Sequence, residues 1–183
     1  IKENAEQHIA MLSKTDALTG LSNRQHFFEA GTAFFREQRD DGLPLALLIA
    51  DVIDFKRIND MYGHNFGDQV LVRLSALLKA GLGGQDLAAR HGAGEFVILL
   101  PQTERGAAAE VMKIIRRKVA ESFFPQHAEF RLRVENACAC GVPGESAASL
   151  EEPIIQPERY TRARGAAAAQ YDVGETYPLR NGN

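Results

Sequence analysis

The chain has 183 residues, of which 45% are hydrophobic and 25% are charged, values typical of one globular domain. A formal net charge of -3 argues against a general nucleic-acid binder, and no apolar run approaches the roughly 20 residues that span a bilayer. The two cysteines, Cys138 and Cys140, would share one face of a strand and lie too close together in the chain for a disulfide between them to stabilise the fold usefully. We therefore expect them to pack in the core of a reduced, cytoplasmic protein.

The hydrophobic pattern predicts alternating helices and strands. Residues 1–14 have apolar positions at helical spacing and are expected to be the end of a linker helix from an upstream sensor domain of a longer chain; a frayed terminus is the alternative. Residues 15–183 are expected to form one domain. Its predicted elements are helices over 22–38, 67–80, 103–119 and 160–170, strands over 45–53 and 130–142, and a hairpin around 92–94. This order predicts an α+β fold with a mixed central sheet flanked by helices.

The hairpin has the sequence RHGAGEF, from Arg90 to Phe96. A Gly-x-Gly between two apolar runs is typical of a tight turn, because glycine reaches positive φ without steric cost. Such a turn can bring backbone close to a phosphate. Here the middle residue, Ala93, carries a methyl group, and Gly94 before Glu95 carries no side chain.

Asp51 interrupts the apolar run LALLIADVI, which is predicted to be a central buried strand. A carboxylate there costs several kcal/mol unless it is paired, hydrogen-bonded or bound to metal. The sequence leaves two explanations open. Asp51 is a metal ligand, or it caps the turn that follows the strand.

Three segments together resemble the GGDEF family, the diguanylate cyclase domains that make cyclic di-GMP from two GTP molecules. DALTGLSNR (16–24) is similar to the family motif DxLTGLxNR, FKRINDMYGHNFGD (55–68) to FKxxND…GHxxGD, and DLAAR (86–90) to the lead-in of the signature hairpin. The segments stand in the family's order and cover residues 13 to 142, whereas the sequence from about 143 is divergent. The resemblance implies a palm-like, ferredoxin-related core.

The resemblance also implies a nucleotide site. Asp51 and the backbone carbonyl of Val52 would hold Mg²⁺, which favours hard oxygen ligands and substrate phosphates. The family's second aspartate is Ile53 here, and Asp54 is not expected to replace it, since one residue along a strand reverses the face.

The nucleotide itself would lie against the FKRINDMYGHNFGD segment and the hairpin. Asn59 and Asp68 match the guanine-contacting positions, because a carboxylate accepts from the N1–H and N2–H₂ edge of guanine. Phe55, Lys56 and Gly92 match positions near the nucleotide phosphates. The plainer alternatives are that Asn59 and Asp68 cap turns and that Lys56 is a solvated surface charge.

Several family positions are altered. The third letter of the signature, a metal-binding carboxylate in the family, is Gly94 here, and Glu95 is only a weak catalytic candidate, since its use would require a register slip. In the family, the basic residues of a later AKxxGRN motif bind the triphosphate. The matching sequence here, around Gly174, has no basic residues at those positions. The product-inhibition motif RxxD retains Asp86 but not its arginine.

Three functions follow. The first is a degenerate domain that binds GTP or cyclic di-GMP with weak or no cyclase activity. The second is an active cyclase working as a homodimer, since each domain holds one GTP. The third is a structural or dimerisation module without nucleotide binding. No contact with nucleic acid or with a membrane is expected from this segment, and attachment of the longer protein to a membrane is left open.

Overall fold

The computed structural model describes residues 14–141. Four helices and four strands are named below in chain order, and the chain also forms a 3₁₀ turn at Pro125–His127. The helices are α1 (Arg24–Asp41), α2 (Phe55–Tyr62), α3 (His64–Ala80) and α4 (Arg105–Ala120); the strands are β1 (Leu45–Val52), β2 (Leu87–Arg90), β3 (Glu95–Pro101) and β4 (Val134–Gly141).

The strands form one sheet in the order β2-β3-β1-β4, and every adjacent pair is antiparallel. The α+β class is confirmed, but the predicted mixed sheet is corrected for the described strands. The α2–α3 crossover delivers the chain to the outer strand β2, and the hairpin then returns β3 beside β1 in the opposite direction. A parallel bridge occurs outside the strands, between Ser22 and Ala89.

Two apolar layers enclose the sheet. On one face Leu45, Leu47 and Ile49 pack with Phe27 of α1. On the other face the alternate β1 residues pack with α3 and α4, through side chains such as Leu71 and Ile115. Because both faces are covered, β1 is buried along almost its whole length, as its continuous apolar run predicts.

The sequence prediction located the longer elements and missed α2. Asn23 caps α1 by accepting from the His26 N–H, and Gly42 ends it with φ 65°, as the sequence suggested. Helix α2 has only eight residues and buries only Ile58, so its sequence shows no repeated apolar positions from which a helix could be recognised. Strand β4 begins at Val134, later than predicted.

The expected linker helix before residue 14 and all expectations beyond Gly141, including the divergent segment around Gly174, lie outside the described residues. Within residues 14–141, no helix has both the length and the apolar character needed to cross a membrane.

Candidate functional site

Phe55, the first residue of α2, lies between the hairpin and α3. A Cβ added at Gly94 in the hairpin would lie 3.0 Å from the Phe55 Cβ and 3.1 Å from its Cγ. A Cβ added at Gly67 in α3 would lie 3.4 Å from the Phe55 Cζ. The two glycines therefore allow the hairpin and α3 to close onto opposite parts of one aromatic side chain, and the site forms around this contact.

Asn59 lies one turn after Phe55 and packs directly on Gly67. A Cβ at Gly67 would collide with the Asn59 Oδ1, so only glycine permits this approach. The Asn59 Oδ1 is buried and has no hydrogen-bond partner among residues 14–141. Asp68, the next residue after Gly67, is exposed. The structure thus brings the two predicted guanine-contacting residues to the same end of α3, with a buried acceptor on one of them.

Three carboxylates form a row across the sheet. Asp51 at the end of β1 is directly opposite Glu95 on β3 and Glu135 on β4. Opposed residues of antiparallel strands share a face, with Cβ atoms about 4.5–5.5 Å apart. Burial, followed by repulsion from Glu95 and Glu135, raises the pKa of Asp51 to about 6. Negative charge on this row therefore destabilises the fold, and a bound cation would relieve that cost.

Glu95 reaches this row without any register slip. The expectation that a slip is necessary is corrected by the observed register, because Glu95 pairs with Asp51 while Phe96 and Ile98 stay in the core. The Glu95 Oε1 lies 3.0 Å from the His91 Nδ1, which forms an ion pair when His91 is protonated. Glu135 was not found from the sequence, since only the pairing of β1 with β4 brings it beside Asp51.

The hairpin is tied to the end of β1. The Val52 N–H donates to the Gly94 carbonyl at 2.9 Å, and the N–H groups of His91 and Gly92 donate to the Glu95 carbonyl at 2.9 and 3.2 Å. Gly94 is buried in this turn. The backbone near the predicted phosphate position is thus fixed, while the position of the family's third signature letter presents no side chain.

Arg90 stabilises the hairpin through hydrogen bonds to its carbonyl groups. Its guanidinium donates to the carbonyls of Gly92 at 3.2 Å and Ala93 at 2.9 Å, and lies 3.4 Å from the Asp16 Oδ2. The other oxygen of Asp16 accepts from the N–H and hydroxyl of Thr19. Neither Arg90 nor Asp16 has a role that the sequence reveals, because neither motif alone indicates the contact between them.

The remaining predicted residues have simpler surroundings. Lys56 is exposed on α2. The Asp86 Oδ2 accepts from the Gly83 N–H at 2.6 Å and so closes its own turn. Asp54 is exposed with φ 55° at the start of α2.

Between residues 14 and 141, no group of three or more His, Cys, Asp or Glu side chains is arranged to hold a metal ion. Mg²⁺ commonly uses only one or two protein carboxylates and takes its other oxygens from water and phosphates. Asp51 and Glu95 satisfy that smaller requirement, and their mutual repulsion is what a divalent cation would relieve.

Comparison with known proteins gives a consistent result. Residues 13–150 match the family model described as diguanylate cyclase, GGDEF domain. Diguanylate cyclase DgcP of Pseudomonas aeruginosa is 40% identical over 161 residues, 87% of this chain and 24% of that protein. The uncharacterised protein YhcK of Bacillus subtilis is 41% identical over 108 residues, 58% of this chain and 30% of that protein. The chain therefore spans about a quarter to a third of the length of these relatives.

The fold comparison agrees. The GGDEF domain of DgcB from Caulobacter crescentus, solved in complex with c-di-GMP, superposes with a TM-score of 0.75 at 26% identity, over 85% of this chain and 91% of that one. The chain belongs to the GGDEF family of cyclic di-GMP signalling domains.

Proposed function

We propose that this domain binds a guanine nucleotide, GTP or cyclic di-GMP, and has weak or no cyclase activity. The observation that carries the proposal is the buried Asn59 Oδ1, which has no hydrogen-bond partner in the described part of the chain and packs closely on Gly67. An unsatisfied buried acceptor costs about 1–3 kcal/mol, and rotation of the Asn59 amide toward a donor on a bound base would recover much of that cost.

Guanine suits the two side chains. Asp68 is an exposed carboxylate that accepts from the N1–H and N2–H₂ edge, while the Asn59 amide both accepts and donates. Adenine lacks that pair of donors, so Asp68 would face an unprotonated ring nitrogen. Discrimination against adenine therefore rests mainly on Asp68.

The phosphates would lie toward the hairpin and the carboxylate row. Asp51 and Glu95, with the Val52 carbonyl, would hold Mg²⁺, which neutralises phosphate charge when it is bound. The Phe55 backbone and the exposed Lys56 ammonium would orient the phosphate chain. Weakened catalysis follows from Gly94, which supplies no carboxylate and is packed on Phe55 where a side chain would have to extend.

An active cyclase is the second candidate, and one observation favours it. Glu95 is directly opposite Asp51 in the native register, so two carboxylates remain on one face. In this case two domains, each holding one GTP, would have to face each other in a homodimer. The upstream sensor domain as partner and the cytoplasmic location stay predictions.

Calorimetric titration tests the proposal. The full chain in Mg²⁺ should bind GTP or cyclic di-GMP and discriminate against ATP. Asp68→Ala should remove that discrimination, because the guanine donors lose their acceptor, and Asn59→Ala should weaken binding. Asp41→Ala, which removes an exposed carboxylate on α1, is the matched control and should bind as the native chain does. Unchanged affinity in Asp68→Ala would show that the base lies elsewhere.

The double variant Ala93→Gly with Gly94→Asp separates the two candidates further. If Gly94 limits catalysis, this variant should form more cyclic di-GMP than the native chain, provided that Phe55 yields to the new Cβ. If the native chain forms cyclic di-GMP as fast as this variant does, the result would support the second candidate, an active cyclase.

A further inference from the structure

A cluster of aromatic side chains packs at the junction between α2 and α3. Tyr62 ends α2 and Phe66 lies in the first turn of α3, with ring centroids 5.2 Å apart. The rings of Phe124 and Phe130 lie 5.4 and 5.0 Å from that of Phe66. His127 completes the cluster, since its imidazole lies 4.7 Å from the Tyr62 ring and 4.5 Å from the Phe66 ring. One side chain, His127, therefore contacts both helices.

The 3₁₀ turn at Pro125–His127 fixes the backbone of His127. Its N–H donates to the Phe124 carbonyl at 3.0 Å, and its carbonyl accepts from the Phe130 N–H at 2.9 Å. Phe124 and Phe130 are both buried, so the turn is anchored in the core on each side of His127. The His127 Nδ1 lies 3.7 Å from the Oε1 of Glu129, whose side chain is well exposed. Such a loose, solvated contact contributes little, and the position of the ring follows from its packing.

The junction determines the geometry of the predicted guanine pocket. Asn59 lies one helical turn before Tyr62, and Gly67 directly follows Phe66. Between the helices, Gly63 has φ 86°, a conformation that glycine adopts without steric cost. The Gly63 N–H donates to the Asn59 carbonyl at 2.9 Å, and the Gly67 N–H donates to the Gly63 carbonyl at 3.1 Å. The close approach of the Asn59 side chain to Gly67 therefore depends on the angle between α2 and α3 at a permissive glycine.

The imidazole opposes a change in that angle. Its plane makes angles of 64° and 76° with the planes of the Tyr62 and Phe66 rings, and aromatic pairs favour such edge-to-face contacts. Rotation of one helix against the other would break at least one of the two contacts. Removal of the ring would leave a gap at the junction that neighbouring side chains fill only in part.

We propose that His127 is a positioning residue for the guanine pocket. Its ring fixes the angle between α2 and α3, and through that angle it holds Asn59 against Gly67 and beside Asp68. The effect on nucleotide affinity rests on the proposed guanine binding, whereas the effect on the α2–α3 junction does not.

Calorimetric titration of the full chain with GTP in Mg²⁺ and amide hydrogen exchange measured by NMR together test the proposal. His127→Ala should weaken GTP binding about tenfold, because the variant must close the junction when it binds. The Gly63 and Gly67 amides, which report on the junction, should exchange about tenfold faster than in the native chain. His127→Phe retains a ring and should keep native affinity and protection. His127→Gln retains a polar side chain without a ring and should behave as His127→Ala.

Two controls separate positioning from a general loss of stability. Phe35→Leu destabilises the layer on the opposite face of the sheet and should leave GTP affinity and both glycine amides little changed. Thermal unfolding establishes that each variant is folded at the temperature of the titration. In a chain that already carries Asn59→Ala, adding His127→Ala should change GTP affinity less than about twofold, since both changes act through the same contact.

The proposal is overturned if His127→Ala keeps native GTP affinity and native protection of both amides, or if Phe35→Leu weakens binding as much. It is also overturned if His127→Gln retains native behaviour, because the ring would then be dispensable. If the native chain binds no guanine nucleotide, the proposed function fails. Exchange at Gly63 and Gly67 then decides the role of His127 alone, with faster exchange in His127→Ala supporting it and unchanged exchange refuting it.

Discussion

Replacing Asp51 by asparagine should stabilise the folded domain at neutral pH. Burial and two neighbouring carboxylates raise the pKa of Asp51 to about 6, whereas an unfolded aspartate titrates near about 3.9. Between these values the folded state binds the extra proton, so the stability contributed by this group falls as pH rises from about 4 to about 6. Above that window the charged form destabilises the empty site, and asparagine removes the cost.

The size of the effect follows from the same shift. A tenfold change in an acid dissociation constant is worth about 1.4 kcal/mol, so the full difference corresponds to about 3 kcal/mol. Because Asp51 is only partly buried, solvent screening reduces the expected gain to about 1 kcal/mol. For a chain of this length, that gain raises the melting temperature by about 2–4 °C.

Thermal or urea unfolding at pH 7.5 and at pH 4 measures this prediction in the absence of nucleotide and metal. Asp51→Asn should exceed the native stability at pH 7.5 and approach it near pH 4, where the native carboxyl is protonated in the folded state and about half protonated in the unfolded state. Glu37→Gln, an exposed carboxylate-to-amide change on α1, should alter stability little at either pH. A stability gain that does not depend on pH, or a loss at pH 7.5, would refute the electrostatic argument.

Two glycine substitutions test the packing of the site. Gly94→Ala should cost about 1–3 kcal/mol in urea unfolding, since its Cβ would press on Phe55, whereas Gly92→Ala has ordinary space and should cost much less. Similar costs for both would mean that the hairpin adjusts freely. Gly67→Ala should destabilise the domain and weaken nucleotide binding, because the new Cβ collides with Asn59. Adding Asn59→Ala should restore stability but not binding, and independent effects of the two changes would contradict their contact.

Local pattern explains which parts of this fold were predictable. The run around Asp51 identified β1 and its single carboxylate, because a continuous apolar run is visible over a few residues. Helix α2 was missed, since it is short, mostly polar and ends at Gly63 with φ 86°. Its tight packing, with Asn59 on Gly67, depends on the angle between two helices that no sequence period encodes.

Long-range pairing explains the rest. Glu135 was invisible as part of the site because only the β1–β4 register places it beside Asp51. The same applies to Arg90, whose contact with Asp16 joins residues far apart in the chain. The sequence identifies Glu95 as a candidate. It does not show that Glu95 lies opposite Asp51 without a register slip, because that depends on the pairing of β3 with β1.

The most direct test of the central claim is to incubate the full chain with GTP and Mg²⁺, separate the bound nucleotide from the solution, and identify both by chromatography. The account predicts that GTP is recovered with the protein while cyclic di-GMP is absent or forms only slowly. Rapid, complete conversion of GTP to cyclic di-GMP, or no nucleotide recovered with the protein at all, would contradict it.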